Sequence, residues 1–279
     1  MKSLGEVFQL SVQYLDQKKI SRSKFLVAEI LSYVLGMDKV MLFMDFDRPL
    51  LEEELTKIRS VLSQVARGKP LDYIIGKVDF YGCQFLLTED TLIPRPETEI
   101  LVDIVSKEIA NRSLIVWDVC TGSGCIGVSL KKQNPNSKFV LSDLSEKALS
   151  VAKKNAELNN VVADFLLGDG LTPFSGAKAD MIVCNPPYIS LAEYQELDPS
   201  VRDHEPRLAL IGGVHGGEFY EKTEKNLENF LKPGGKVFFE IGYLQGNWML
   251  ECFSRPVWKQ KKVIKDWSGH DRFFFLEIE

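Results

Sequence analysis

The 279-residue chain has little of what marks several large functional classes. Its five cysteines (Cys83, Cys120, Cys125, Cys184 and Cys252) are odd in number and form no CxxC pair, so they read as reduced, packed thiols rather than a disulfide framework. Three histidines without HExxH or mixed His/Cys spacing leave no expected metal centre. There is no run of 18 apolar residues, so no membrane span is expected. The opening MKSLGEVFQLSVQYL is interrupted by Glu6, Gln9 and Gln13, unlike a secretory apolar core, which makes the cytoplasm the expected compartment. Positive charge is also in short supply. The net charge is −5, divided as +2 over residues 1–70 and −7 over the rest. A mildly acidic body does not suit tight nonspecific nucleic-acid binding, which needs many phosphate-neutralising cations, although a local basic patch stays open.

Apolar residues at 45% and charged residues at 26% are globular usage, and the length allows one or two domains. Segments near 3–17, 22–36 and 51–67 carry apolar residues at helical spacing, among them Phe25, Ala28, Leu31, Val34 and Leu35. Ser21 is a candidate cap for the second segment and Gly36 a stop. Arg67-Gly68-Lys69-Pro70 reads as a boundary. Residues 72–92 then turn strand-like through Tyr73, Ile74 and Ile75, then Val78, Phe80 and Tyr81, then Phe85, Leu86 and Leu87, with Gly82 at a hairpin turn. The organisation expected is a helical domain over 1–70, a β-hairpin linker over 71–94 and a second domain over 95–279. In that second domain, apolar β-rich runs at 114–119, 138–143, 163–167, 179–184 and 236–241 alternate with helical stretches, and DRFFFLEIE closes the chain as a further strand. Strands buried on both faces read this way, so an α/β doubly wound sheet is expected.

Asp118-Val-Cys-Thr-Gly122-Ser-Gly124-Cys-Ile-Gly127 follows the first of these strands and opens a helix. Glycines remove the Cβ atoms that would hold a ligand off the backbone, and a helix start offers free N–H groups. Asp143 ends the next strand, 19 residues beyond Gly124, where an acid can accept both hydroxyls of a ribose. The pair fits a dinucleotide or S-adenosylmethionine, or a bare strand-to-helix turn. Gly168-Asp169-Gly170 after the third strand lines the adenine side of such a pocket or is a plain loop.

The fourth strand runs into Asn185-Pro186-Pro187-Tyr188. Prolines lack N–H groups and fix their own φ, so the carbonyls and the Asn185 side chain are held rigidly at the carboxyl edge of the sheet. The Asn185 oxygen and the Pro186 carbonyl are two acceptors suited to an NH₂ on a planar carbon, as in an amide or an exocyclic base amine. Tyr188 is able to pack flat beside that group. Turn chemistry alone is the other account of Asn-Pro.

With the glycine turn before it, this tetrapeptide resembles that of class I methyltransferases acting on planar nitrogen. Nearly the whole chain resembles the HemK/PrmC family, the release-factor glutamine N5-methyltransferases. The resemblance runs through the helical N-terminal region, Leu92-Ile-Pro-Arg-Pro-Glu-Thr-Glu99, CTGSGCIG, NPPYI, His204-Glu-Pro-Arg-Leu-Ala-Leu210, Pro233-Gly-Gly235 and Asp271-Arg272. It implies the class I fold, a doubly wound mixed sheet with a small all-α N-terminal domain joined by a β-hairpin. It implies S-adenosylmethionine as cofactor, S-adenosylhomocysteine as product, and the Gly-Gly-Gln glutamine of peptide chain release factors as target. By the same resemblance Cys120, Thr121, Gly122, Ser123 and Gly124 wrap the methionine part, Asp143 holds the ribose, Asn185 touches both cofactor and substrate, and Asn185, Pro186, Pro187 and Tyr188 bind the glutamine amide. Asn185, Pro186 and Tyr188 are the catalytic candidates. Two positions depart from the family: Gly170 stands where relatives often have an aromatic residue, and Cys120 where many have Gly, which a side chain turned from the cofactor would tolerate.

Arg95, Glu97, Glu99, Glu205 and Arg207 form either a polar wall at the substrate entrance or ordinary ion pairs. Asn-Pro-Pro-Tyr is shared with adenine-N6 and ribosomal-protein glutamine methyltransferases, which stand as alternatives. An adenine enzyme must extract a base from its stack and calls for a basic, aromatic recognition surface. An NAD-dependent oxidoreductase lacks an evident hydride site, and a noncatalytic cofactor-binding module is the remaining alternative. The helical region is the expected docking element for a protein partner; a monomer with no stable nucleic-acid or membrane partner is expected.

Overall fold

The computed structural model describes residues 2–279. The chain forms two compact units. One runs to Gly76 and takes in Pro199–His204; the other comprises Lys77–Asp198 and Glu205–Glu279.

The first unit is helical: α1 Leu4–Gln17, α2 Ser23–Leu35, α3 Lys39–Met44, α4 Glu52–Val65 and α5 Leu71–Ile75. A capping box starts α1. The Glu6 N–H donates to Ser3 Oγ at 3.3 Å, and the Ser3 N–H donates to Glu6 Oε2 at 2.8 Å. Apolar residues three and four apart (Leu4, Val7, Phe8 and Leu15 on α1; Leu55, Ile58, Leu62 and Val65 on α4) share one buried core with Leu71 of α5. Three expectations are corrected. Tyr73, Ile74 and Ile75 belong to α5 rather than a strand; three apolar residues in a row fit either period, and Gly76, at φ +76, ends the turn with its N–H on the Asp72 carbonyl. Ser21 does not cap α2, which starts at Ser23 behind Arg22 in left-handed geometry. Phe25 is 47% exposed, its ring under the Arg22 guanidinium at 4.6 Å, so the stripe on α2 is narrower than its apolar residues suggest.

The second unit opens with a hairpin of β1 Lys77–Phe80 and β2 Cys83–Leu86. Tyr81 and Gly82 both have positive φ, +46° and +71°, as a two-residue hairpin turn requires. Then follow α6 Pro96–Ile109, β3 Ile115–Val119, α7 Cys125–Gln133, β4 Lys138–Asp143, α8 Glu146–Leu158, β5 Asp164–Leu167, β6 Ala179–Cys184, the short β7 Ile189–Ser190 and β8 Ile211–Gly213, β9 Leu231–Glu240, β10 Trp258–Lys265 and β11 Asp271–Ile278. The free edge of β2 is closed by α8. Asn155 donates to the Leu86 carbonyl and accepts from its N–H, and Asn159 does the same for Gln84.

The main sheet has the order β10-β11-β9-β6-β3-β4-β5. Strands β9, β6, β3, β4 and β5 are parallel, and β11 is antiparallel to both β9 and β10. Alternate residues of one strand enter two cores: Met181 and Val183 of β6 pack on one face, Ile182 and Cys184 on the other, and Phe238 and Phe239 of β9 divide likewise. This double burial produces the unbroken apolar runs. The strand β10 escapes pattern reading because WKQKKVIK is an exposed, lysine-rich edge, the composition that discourages further pairing. Strand order reverses about β3, so the crevice beyond its carboxyl end is the ligand position this topology favours. The glycine turn, Asp143, Asn185 and Glu240 all follow or end parallel strands at that edge.

Candidate active site

A cavity at the carboxyl edge is lined by the glycine turn, Asp143, Gly170, Asn185 and Pro187, with Arg95, Thr98 and Phe219. The glycine turn is braced from below. Asp118, fully buried on β3, accepts the Thr121 hydroxyl at 2.5 Å and the Gly127 N–H at 2.8 Å through one oxygen. Burial pushes its carboxyl up to about 7. A Cβ on Gly127 would stand 2.7 Å from both Asp118 Oδ2 and Leu141, so the third glycine serves close packing of α7 on the sheet. Gly122 and Gly124 have φ of +55° and +83°. Asn155 donates to the Ser123 carbonyl at 2.8 Å, tying the turn to the same side chain that closes β2. Cys120 adopts φ +59°, the conformation that makes glycine natural there, and it both lines the cavity and packs, partly buried, against the core that holds Cys184.

At the end of β4, Asp143 accepts the Gly122 N–H at 2.8 Å on one oxygen and the Ser145 N–H at 2.9 Å on the other. Burial raises its carboxyl against those bonds and against the Leu144 N–H. Beside Gly170 stands an aromatic ring that sequence reading did not find: a Cβ there would meet Phe219 at 3.7 Å. Phe219 belongs to the helix Glu218–Glu224, which Lys222 pairs to Asp169 in the same loop. The missing signal was distance, because 49 positions separate Gly170 from Phe219 in the sequence.

Strand β6 delivers Asn185 directly to the cavity, half-buried, with Pro187 beside it. Pro186 is buried, and neither it nor Gly124 nor Tyr188 lines the cavity. Tyr188 packs against the core, and its hydroxyl lies 3.5 Å from Glu240 Oε1. Glu240 is 2% exposed and also accepts the Thr98 hydroxyl at 2.8 Å, and the Asn185 side chain favours its ionised form. Burial drives its carboxyl up to about 7, with Arg272 acting in the opposite sense. Sequence reading counted Glu240 only as part of a strand; the available signal was one acid ending an apolar run buried on both faces.

The five-residue polar wall does not assemble. Arg95 alone of the five lines the cavity, held by Glu205 at 2.6 Å, while Glu205 also accepts the Ile93 N–H. Glu99 accepts the Tyr81 N–H at the hairpin, Glu97 is exposed, and Arg207 lies over the Tyr194 ring. Among the described residues no group of three His, Cys, Asp or Glu could hold a metal, and no helix is long and apolar enough to cross a membrane.

Residues 6–76 match the family "PrmC N-terminal domain" and residues 96–197 the family "Methyltransferase small domain". A release factor glutamine methyltransferase of Enterococcus faecalis is 40% identical, the match covering 87% of this chain and 88% of that protein. One of Geobacter sulfurreducens is 37% identical over 97% of this chain and 95% of the relative. Among solved structures, a methyltransferase from Pyrococcus furiosus has a TM-score of 0.54 at 17% identity, covering 77% of this chain and 96% of that one, a likeness of fold. A T. thermophilus 16S rRNA methyltransferase in complex with AdoMet and guanosine has a TM-score of 0.51 at 17% identity over 73% of this chain and 50% of the other.

Proposed function

From the premise that the chain belongs to the release factor glutamine methyltransferase family, we infer that it transfers the methyl group of S-adenosylmethionine to the side-chain amide nitrogen, N5, of a release-factor glutamine. We propose the glutamine of the Gly-Gly-Gln loop as the target. The observation that carries the reading is Asn185, projected from the end of a rigid buried strand into the cavity that also holds the glycine turn and Asp143.

The cavity suits the cofactor chemically: a carboxylate at the sheet edge, backbone stripped of Cβ atoms at the turn, and an aromatic ring beside Gly170. Asp143 takes the ribose hydroxyls, the backbone from Cys120 to Gly124 wraps the methionine part, and Phe219 supplies the flat surface for adenine in place of a side chain at Gly170. When bound, the cofactor supplies an electrophilic sulfonium methyl, which is the hard part of the chemistry.

The protein's task is then set by the substrate. An amide nitrogen is a poor nucleophile because its lone pair is delocalised into the carbonyl. Asn185 Oδ1, which lines the cavity, accepts an amide hydrogen, orients the nitrogen and stabilises the positive charge that develops as the lone pair localises. Pro187 closes the apolar side and Tyr188 buttresses the corner from behind. No base is needed before transfer, because the product nitrogen is free to lose its proton afterwards. A single glutamine offers too little surface for protein specificity, so recognition of the release factor falls to a larger face. The helical unit suits that role: Val40 and Met44 of α3 are 67% and 76% exposed. Such a partner fits a cytoplasmic enzyme.

Incubating the protein with a release factor and labelled S-adenosylmethionine, then locating the added mass by peptide mass spectrometry, tests the reading. A single methyl on the Gly-Gly-Gln glutamine is expected. Methyl transfer to nucleic acid and none to the release factor overturns it.

A further inference from the structure

Asparagine has an acceptor end and a donor end, and only one of them helps an amide substrate. We infer that Glu240 is a positioning residue that fixes this choice: its carboxylate holds the Asn185 NH₂, so that Oδ1 faces the cavity. The inference deepens the proposed function and rests on Asn185 being the acceptor for the glutamine amide.

The grounds are geometric. Glu240 ends β9, next to β6 in the sheet, and is 2% exposed. The Thr98 hydroxyl donates to Oε2 at 2.8 Å and the Tyr188 hydroxyl lies 3.5 Å from Oε1; Cys184 pairs with Phe239 across the sheet, so Asn185 and Glu240 leave adjacent strands side by side, with the Asn185 side chain acting on the same carboxylate. The Tyr220 hydroxyl pins the Glu240 carbonyl at 2.7 Å, which fixes the strand end. An ionised carboxylate accepts and never donates, so the bond from Asn185 must come from its NH₂. The opposite end of a planar amide then points away from Glu240, and Asn185 lines the cavity. Burying a carboxylate is costly, and a glutamine of equal volume would avoid the cost, but its amide can donate as well as accept and so would not choose an orientation. The cluster links three separated parts of the chain: Thr98 on α6, the Asn-Pro-Pro-Tyr corner and the end of β9.

The choice depends on Glu240 being ionised. A protonated Glu240 offers an O–H, to which Asn185 Oδ1 can turn, presenting its NH₂ to the substrate. Arg272 on β11 favours the ionised form, while burial and Glu97 on α6 oppose it, and burial leaves the carboxyl near 7. Tyr188, Tyr220 and Cys125 also face it, all three held protonated by burial at neutral pH, and Arg95 adds positive charge beside Tyr188. With a carboxyl at about 7, methyl transfer is lost as pH falls through that value.

Four proteins test this with a release factor as substrate: wild type, Glu240→Gln, Asn185→Ala and the double variant. Glu240→Gln is expected to lower kcat about tenfold while leaving the S-adenosylmethionine Kd within twofold, to lose the acid-side fall in kcat near pH 7 that wild type shows, and to have no further effect in the Asn185→Ala background. If Asn185→Ala is fully active, the reading of Asn185 fails. If Asn185→Ala is impaired while Glu240→Gln keeps wild-type kcat, keeps the acid limb or multiplies with Asn185→Ala, the positioning role alone is overturned. A cofactor Kd that weakens in step with kcat in Glu240→Gln also overturns it, since that marks general damage to the cavity.

Discussion

The two sides of the cavity are built by different means. On the side proposed for the cofactor, local sequence does the shaping: a strand end, three glycines and an acid at the tip of the next strand, braced by Asp118 from within the same segment. On the side proposed for the substrate the shape is assembled from distant segments, with Asn185, Thr98 and Glu240 coming from three separated parts of the chain. The first kind of site tolerates change in side chains but not in backbone freedom. The second fails when one polar partner is lost, because the others are left buried and unpaired.

Substitutions sharpen the contrast. Asn185→Ala has the largest expected effect, a fall in kcat on the order of tenfold to a thousandfold with nearly unchanged cofactor affinity, measured by steady-state kinetics and calorimetry. Asp143→Ala should do the reverse, weakening the cofactor Kd about tenfold to a hundredfold through loss of charged hydrogen bonds; an unchanged Kd removes Asp143 from the site. Gly127→Ala should cost stability by about 1–3 kcal/mol, read from denaturant midpoints, because the new methyl meets Asp118 and Leu141. Phe219→Ala is expected to weaken the cofactor roughly twofold to tenfold without altering kcat at saturation, and a kcat loss instead would assign the ring to the substrate side.

The smallest effect is on stability against pH. Glu240 is raised in the folded protein to about 7, so the native state holds its proton longer than the unfolded chain. Its contribution is therefore intact below the ordinary carboxylate range and is lost as pH rises through 7. Thermal midpoints of Glu240→Gln should decline less between pH 5 and pH 8 than those of wild type.

The same division explains what sequence alone reveals. Parallel strands buried on both faces announce themselves as apolar runs, and the Asp118–Gly127 turn with Asp143 is contiguous enough to be legible as one cavity edge. Asn185 is legible because two prolines mark a rigid corner. Glu240 and Phe219 are not, since each acquires its meaning only when β9 and the Glu218–Glu224 helix fold against the cavity. The helix at Leu71–Ile75 and the edge strand Trp258–Lys265 escape for a simpler reason: one is too short to display a period, and the other is patterned for solvent rather than for a core.

The most direct test of the central claim is a crystal structure of the enzyme with S-adenosylhomocysteine and a release factor. Asn185 Oδ1 should lie about 2.9 Å from the glutamine amide nitrogen. An Asn185 that presents its NH₂ to the substrate, or a glutamine amide bound away from the corner, would contradict it.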